Sequence, residues 1–199
     1  IDYVAHEMGH QFNGNHTFNH CGSYNSQASG VEPGSGTTIM AYAGICGADD
    51  VAPNSQDIFH GYSIKEMGAF IYTGGGNTCP VKITTSNRNP DVNGGPNRII
   101  PKSTPFELTA LGTDIDGDTL TYTWEQIDPG NAVSPPTPTT AAGPLFRSYK
   151  GGASPTRVFP RLQDLVNNIN PVWEELPGVA RTMNFRVVAR DNDWQAGCT

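Results

Sequence analysis

Four residues near the start of the chain, His6, Glu7, His10 and His16 in the run HEMGHQFNGNH, have the types and spacing to hold a metal ion and act beside it. Residues four apart share one face of a helix, so a helix through this stretch sets His6 and His10 side by side, with Glu7 next to the cleft they line. Neutral imidazoles suit Zn²⁺, which in catalytic sites takes three protein ligands and keeps one position for water. His16 is the expected third ligand. Asn13, Gly14 and Asn15 all tolerate turns, so the helix is expected to stop after Phe12 and the chain to double back. With the pKa of a zinc-held water lowered to roughly 7, Glu7 would take its proton as the water attacks a polarised carbonyl. The chemistry implied is metal-assisted amide hydrolysis. A chance HExxH with a further His six residues on arises in roughly 1 of 10,000 sequences of this composition, which sets aside the alternative of a merely solvated helix face.

The same run resembles the metzincin zinc-peptidase signature HExxHxxGxxH followed by a Met-turn, and more narrowly the secreted bacterial reprolysin-like (adamalysin-type) metallopeptidases. Thr37-Thr38-Ile39-Met40-Ala41-Tyr42 resembles that Met-turn, which implies a structural place for Met40 beneath the histidines. Taken alone, Met40 would read as a soft core filler. Tyr42 stands two residues after Met40, as the tyrosine does in the astacin and serralysin branches, where it ligates zinc or binds the transition state. Packing, or a wall of the substrate pocket, is its other reading. One departure is visible: Asn13 stands where the signature has Gly, and the glycine follows at Gly14. Asn adopts the left-handed conformation more readily than other non-Gly residues, so the turn is expected to survive.

What the resemblance implies is a secreted zinc-dependent endopeptidase acting on proteins or peptides, with Glu7 as general base. The alternative is a binding or adhesion module, or an inactive fragment, whose zinc site does not turn over. The chain opens directly in the helical pattern DYVAHEMGH, so it is expected to be a processed or partial chain that lacks the upstream sheet the resemblance implies.

The elements that must position these residues are short. Among 199 residues there are 23 Gly and 16 Pro, and hydrophobic types make up 36%, a composition that favours loops and strands over a helical bundle. The net charge of −7, without a basic run, argues against nucleic acid as a partner. No apolar stretch approaches the ~20 residues that span a bilayer. Four cysteines, Cys21, Cys46, Cys79 and Cys198, allow three pairings, and the loop-rich composition favours an oxidising, extracellular setting. Cys21 and Cys46 flank the loop between His16 and the Met-turn and are expected to pair, leaving Cys79 with Cys198. Free buried thiols are the alternative, and without a CxxC motif cysteine is not expected to ligate zinc.

Residues 17–36 read as a long ordered loop containing a surface His20. The match of Asn15-His16-Thr17 to a glycosylation sequon reads as accidental, because a glycan there would crowd the metal. From Ala43 to Tyr62 the chain is again loop, and the resemblance implies that it borders the pocket for the side chain after the scissile bond. Asp49-Asp50 reads as an exposed acidic turn, and His60 as structural. Ser63-Ile64-Lys65-Glu66 has the pattern of a capping box, followed by Ile64, Met67, Gly68 and Ile71 at helical spacing, and Gly74-Gly75-Gly76 ends that closing helix.

The expected fold is therefore the C-terminal part of an α+β metzincin catalytic domain, with active-site helix, Met-turn and closing helix, over residues 1–79. A linker and first strand cover 80–97. Residues 98–199 resemble an immunoglobulin-like or polycystic-kidney-disease-like all-β sandwich with one short helix. Strands are expected at 83–96 in part, 98–101, 106–110, 119–124 and 183–189, and a helix at 160–169. Residues 129–160 read as a long insertion. Asp114, Asp116 and Asp118 in the run DIDGD resemble a calcium loop. Thr119 occupies the place where an EF-hand needs Gly, which leaves either a Ca²⁺-binding turn or a solvated acidic hairpin between strands.

Overall fold

The computed structural model describes residues 2–24, 28–78, 80–130 and 133–193. Among these residues the chain is a mixed α/β protein with three helices and three two-stranded sheets. No helix among them is long and apolar enough to cross a membrane. Cys79 and Cys198, and with them their expected pairing, lie outside the described residues.

Helix α1 spans Asp2–Gln11, with Asp2 in its first turn, where a carboxylate complements the exposed N–H groups. Its orientation departs from ordinary amphipathicity. The buried residues are His6 and Gly9, whereas Tyr3, Val4, Met8 and Phe12 are exposed. The helix ends in a Schellman motif: Gly14 N donates to Gly9 O at 2.9 Å, Asn13 N donates to His10 O at 2.9 Å, and Asn13 takes φ 66°. Asn13 thus supplies the left-handed residue that reverses the chain toward His16.

The loop that follows, with a short 3-10 turn at Gly47–Asp49 as the helical element among its described residues, is ordered by internal bonds rather than by regular structure. A disulfide joins Cys21 to Cys46. Glu32, 1% exposed, accepts from the hydroxyls of Thr17 and Thr38 and from the backbone N–H groups of Thr37 at 2.8 Å and Thr38 at 3.2 Å. A buried carboxylate surrounded by donors holds the stretch before Met40 against the stretch after His16.

Helix α2 spans Gly61–Tyr72 and begins two residues before the expected capping box. Its N-cap is His60, whose Nδ1 accepts from Tyr62 N at 3.0 Å, and Gly61 N donates to Glu125 Oε2 at 2.6 Å. These partners satisfy N–H groups that a capping box would otherwise serve. Ser63 is consequently buried inside the helix, and the Glu66 carboxylate turns outward to another segment. A 3-10 turn at Gly75–Thr78 follows the glycines.

The second half contains β1 (Asp91–Asn93), β2 (Phe106–Thr109), β3 (Leu111–Thr113), β4 (Thr121–Gln126), β5 (Thr156–Phe159), helix α3 (Leu162–Val166) and β6 (Phe185–Arg190). They pair antiparallel as β1–β3, β2–β5 and β4–β6, with Phe106 opposite Phe159 and Trp124 opposite Val187. Ala110, Trp124, Leu145, Phe146 and Phe159 form the core, and Phe106 stacks on Phe159 with centroids 4.9 Å apart. Leu145 and Phe146 are fully buried and β5 pairs with β2, so residues 129–160 contribute core and a strand rather than an insertion. No strand forms at 98–101, where Ile99 is fully exposed. Helix α3 is shorter than its apolar spacing implied. Leu162, Val166 and Ile169 are exposed, and it is Asp164 that is buried, paired to Arg161 at 2.9 Å.

The two halves are bonded to each other directly. Thr37 Oγ1 and Gln56 Nε2 donate to Ser148 O at 3.1 and 3.0 Å, Arg147 donates to Val51 O at 3.1 Å, and Arg186 donates to Gly61 O at 2.8 Å.

Candidate metal centre

Helix α1 and its Schellman turn bring His6, His10 and His16 together, with one ligand-capable atom of each within 4.8 Å of the others. His10 Nε2 lies 3.1 Å from His6 Nε2 and 3.1 Å from His16 Nε2. The other ring nitrogens of the helical pair are held by carbonyls: His6 Nδ1 donates to Ile39 O at 2.7 Å and His10 Nδ1 donates to Gly14 O at 2.8 Å. A carbonyl only accepts, so the protons sit on Nδ1 and both Nε2 atoms present lone pairs. Lone pairs facing each other at 3.1 Å repel unless a cation shares them. The edge of a tetrahedron with Zn–N bonds of ~2.0–2.1 Å is about 3.3 Å, close to the separations here. The donor set therefore fits zinc, and the two carbonyls are the outer partners that orient such ligands.

Met40 is fully buried, with its sulfur against Gly9 of α1. A Cβ added at Gly9 would overlap its sulfur, so the glycine inside HEMGH is where the helix meets the turn. His16 is placed differently from its partners. Its carbonyl accepts from Ser29 Oγ at 2.7 Å, its ring meets Tyr42 edge-on at 4.6 Å between centroids, and Tyr42 stacks on Phe18 at 4.6 Å. Phe18 and Tyr42 pack in turn on the Cys21–Cys46 disulfide. Burial, with the neighbouring His10 and His6, lowers the His16 pKa to about 4, so its ring is neutral at physiological pH. Burial, and then the Glu7 charge, raise the Tyr42 hydroxyl, which therefore stays protonated.

Glu7 is exposed and borders a cleft of ≈ 320 Å³ together with His6, Ile39, Tyr42, Ile45 and Pro53. The Glu7 carboxylate, the His6 imidazole and the Tyr42 phenol thus face one open space that also has apolar walls. This arrangement can bind a metal, move a proton at Glu7 and seat a side chain.

Residues 1–64 match the model of the metallo-peptidase family M12B, Reprolysin-like. The match supports a reprolysin-like zinc metallopeptidase, with the histidine group as the place where the metal would bind. It stops within α2, and the β-strands of the second half lie outside it. No curated protein and no solved structure matches the chain.

The remaining residues singled out in the sequence lie elsewhere. His20 sits 3.4 Å from Asp49, and His60 caps α2 with its Nε2 3.9 Å from Glu125. Asp116 pairs with Arg88 at 2.7 Å, and Asp114 Oδ1 accepts from Asp116 N and Asp118 N at 2.8 and 3.2 Å. These bonds close a turn between β3 and β4, which pair with β1 and β6 rather than with each other, so the run does not form the expected hairpin. Among the described residues, the three histidines are the group in which three ligand atoms converge. Sequence reasoning overlooked Glu32 and Glu66, which hold the loops around the site. Glu32 gave a faint signal, a lone acid beside a run of Ser, Gly and Thr donors, and Glu66 was absorbed into the capping-box pattern.

Proposed function

We propose that the chain carries the active centre of a secreted zinc-dependent endopeptidase, with His6, His10 and His16 as metal ligands and Glu7 as general base. The observation that carries this reading is the convergence of the three imidazoles, two of them with Nδ1 committed to carbonyls, beside the cleft that Glu7 borders. Zinc, when bound, polarises a substrate carbonyl and lowers the pKa of water to about 7. Glu7 accepts a proton from the attacking water on its carboxylate and gives it to the departing amine nitrogen. Ile39, Ile45 and Pro53 supply apolar wall for a substrate side chain, and Tyr42, protonated, has a hydrogen to donate toward developing negative charge. Met40 supports the histidines from below. The Cys21–Cys46 disulfide favours an oxidising compartment, and hence secretion. The described residues from 80 to 193 form the β-rich region attached to this centre.

Glu7→Gln tests the assignment. The variant is expected to bind zinc as tightly as wild type and to hydrolyse peptide at least ~100-fold more slowly, the usual contribution of a positioned base. A chelator should abolish wild-type activity, and zinc should restore it. Full activity in Glu7→Gln would overturn the mechanism.

A further inference from the structure

His6 and His10 each have Nδ1 tied to a carbonyl, but no such bond holds the ring of His16 among the described residues. Its ring is held by packing against Tyr42 and Phe18, and its backbone by Ser29 and by its chain neighbours. Thr17, on one side, donates its N–H to Met40 O at 3.0 Å. Asn15, on the other, is gripped by a single side chain: its backbone N–H donates to Glu66 Oε2 at 2.9 Å and its Nδ2 donates to Glu66 Oε1 at 2.8 Å. Both carboxylate oxygens are used, both bonds are charge-assisted, and such bonds are about twice as strong as neutral ones. Glu66 stands one turn into α2, whose first residue is fixed at both backbone atoms, Gly61 N by Glu125 and Gly61 O by Arg186. The clamp therefore rests on a rigid base.

From this geometry we infer that Glu66 is a positioning residue for the third metal ligand, acting through Asn15. The inference rests on the zinc reading above. Without the clamp the backbone entering His16 would be free to swing, because only Asn15 separates Gly14 from His16, although Ser29 and Met40 still hold the side leaving it. Glu66 removes that freedom before metal arrives, so the cost of ordering His16 is not charged against binding.

Glu66→Ala, made in the whole chain, should weaken zinc binding about 10-fold, at the lower end of what outer-shell partners contribute. Affinity is read by competition with a chromophoric chelator, and the visible spectrum of the Co²⁺-loaded protein reports the ligand set. The spectrum should lose intensity as His16 detaches. Asn15→Asp should weaken binding comparably, since it sets two carboxylates against each other. The double variant N15D/E66Q restores both bonds with the side-chain donor and acceptor exchanged, and should recover affinity and spectrum. A loss of Co²⁺ spectral intensity without a matching loss of Tm is not expected of a residue that only stabilises the fold, and Asn15→Asp with its double variant keeps that comparison available even if Glu66→Ala unfolds. Unchanged zinc affinity and Co²⁺ spectrum in Glu66→Ala, or no recovery in the double variant, would overturn the inference while leaving the zinc centre intact. Failure of the wild-type chain to bind zinc would overturn both.

Discussion

The Nδ1 of His6 donates to the carbonyl oxygen of Ile39 at 2.7 Å, which ties the first imidazole of the site to the residue immediately before Met40. Thirty-three positions separate the two residues, so the bond joins α1 to the turn beneath it rather than closing a local structure. Both the tautomer and the tilt of the ring follow from the placement of that turn. Whatever displaces the turn should displace the ligand.

Gly9→Ala provides that displacement. Alanine favours a helix over glycine by about 1 kcal/mol, so propensity alone predicts stabilisation. Here the added methyl would overlap the Met40 sulfur, with Phe59 also close. Overpacking of this kind costs about 1–3 kcal/mol. The expected outcome is a lower Tm together with weaker zinc binding, measured by thermal melts and chelator competition. An increase in Tm with unchanged zinc affinity would show that Met40 can move aside freely.

The hydrogen bonds of Glu32 support a second prediction, because its two oxygens meet donors only: the hydroxyls of Thr17, Thr37 and Thr38 and the backbone N–H groups of Thr37 and Thr38. Glu32→Gln replaces an acceptor by an NH₂ facing those donors, and leaves buried groups unpaired in a site 1% exposed. Leaving a buried donor unpaired in this way costs about 1–3 kcal/mol. Chemical denaturation of the variant should show that loss. A cost below about 1 kcal/mol would mean that the loop has another anchor.

The contrast between these two positions bears on what was legible in the sequence. HEMGHQFNGNH could be read because the helix repeat alone places His6 and His10 together, and because Asn13 has an intrinsic tolerance for the left-handed turn that it adopts. Glu32 and Glu66 could not, since their partners lie in segments without periodicity, brought together by the fold. The same limit applied in the second half. Phe106, Trp124 and Phe185 fall in strands expected from alternation, whereas Leu145 and Phe146 sit in the core from a proline-rich stretch with no strand pattern. At 162–169 the apolar spacing misled, because Asp164, through its bond to Arg161, is the residue that turns inward.

Glu125 links the two halves and makes stability depend on pH. The side chain is fully buried, with Oε2 accepting from Gly61 N and His60 Nε2 3.9 Å from Oε1. Burial raises its pKa above the ordinary 4.5, and it outweighs the opposing pull of His60, the Gly61 N–H and Arg190; the Glu32 charge raises it further. The folded carboxyl thus keeps its proton at pH values where the unfolded one has lost it. The stabilisation that this proton confers is complete below pH 4.5 and is lost as pH rises through the folded pKa. Glu125→Gln keeps an acceptor for Gly61 N and cannot ionise. The variant should match wild type near pH 4 and gain on it as pH increases, by at most about 1.4 kcal/mol per pH unit within that window. Urea unfolding of both proteins from pH 4 to 8 measures the difference. A gap that stays constant with pH would mean that Glu125 is ionised throughout, held by His60 and Arg190 as a buried ion pair.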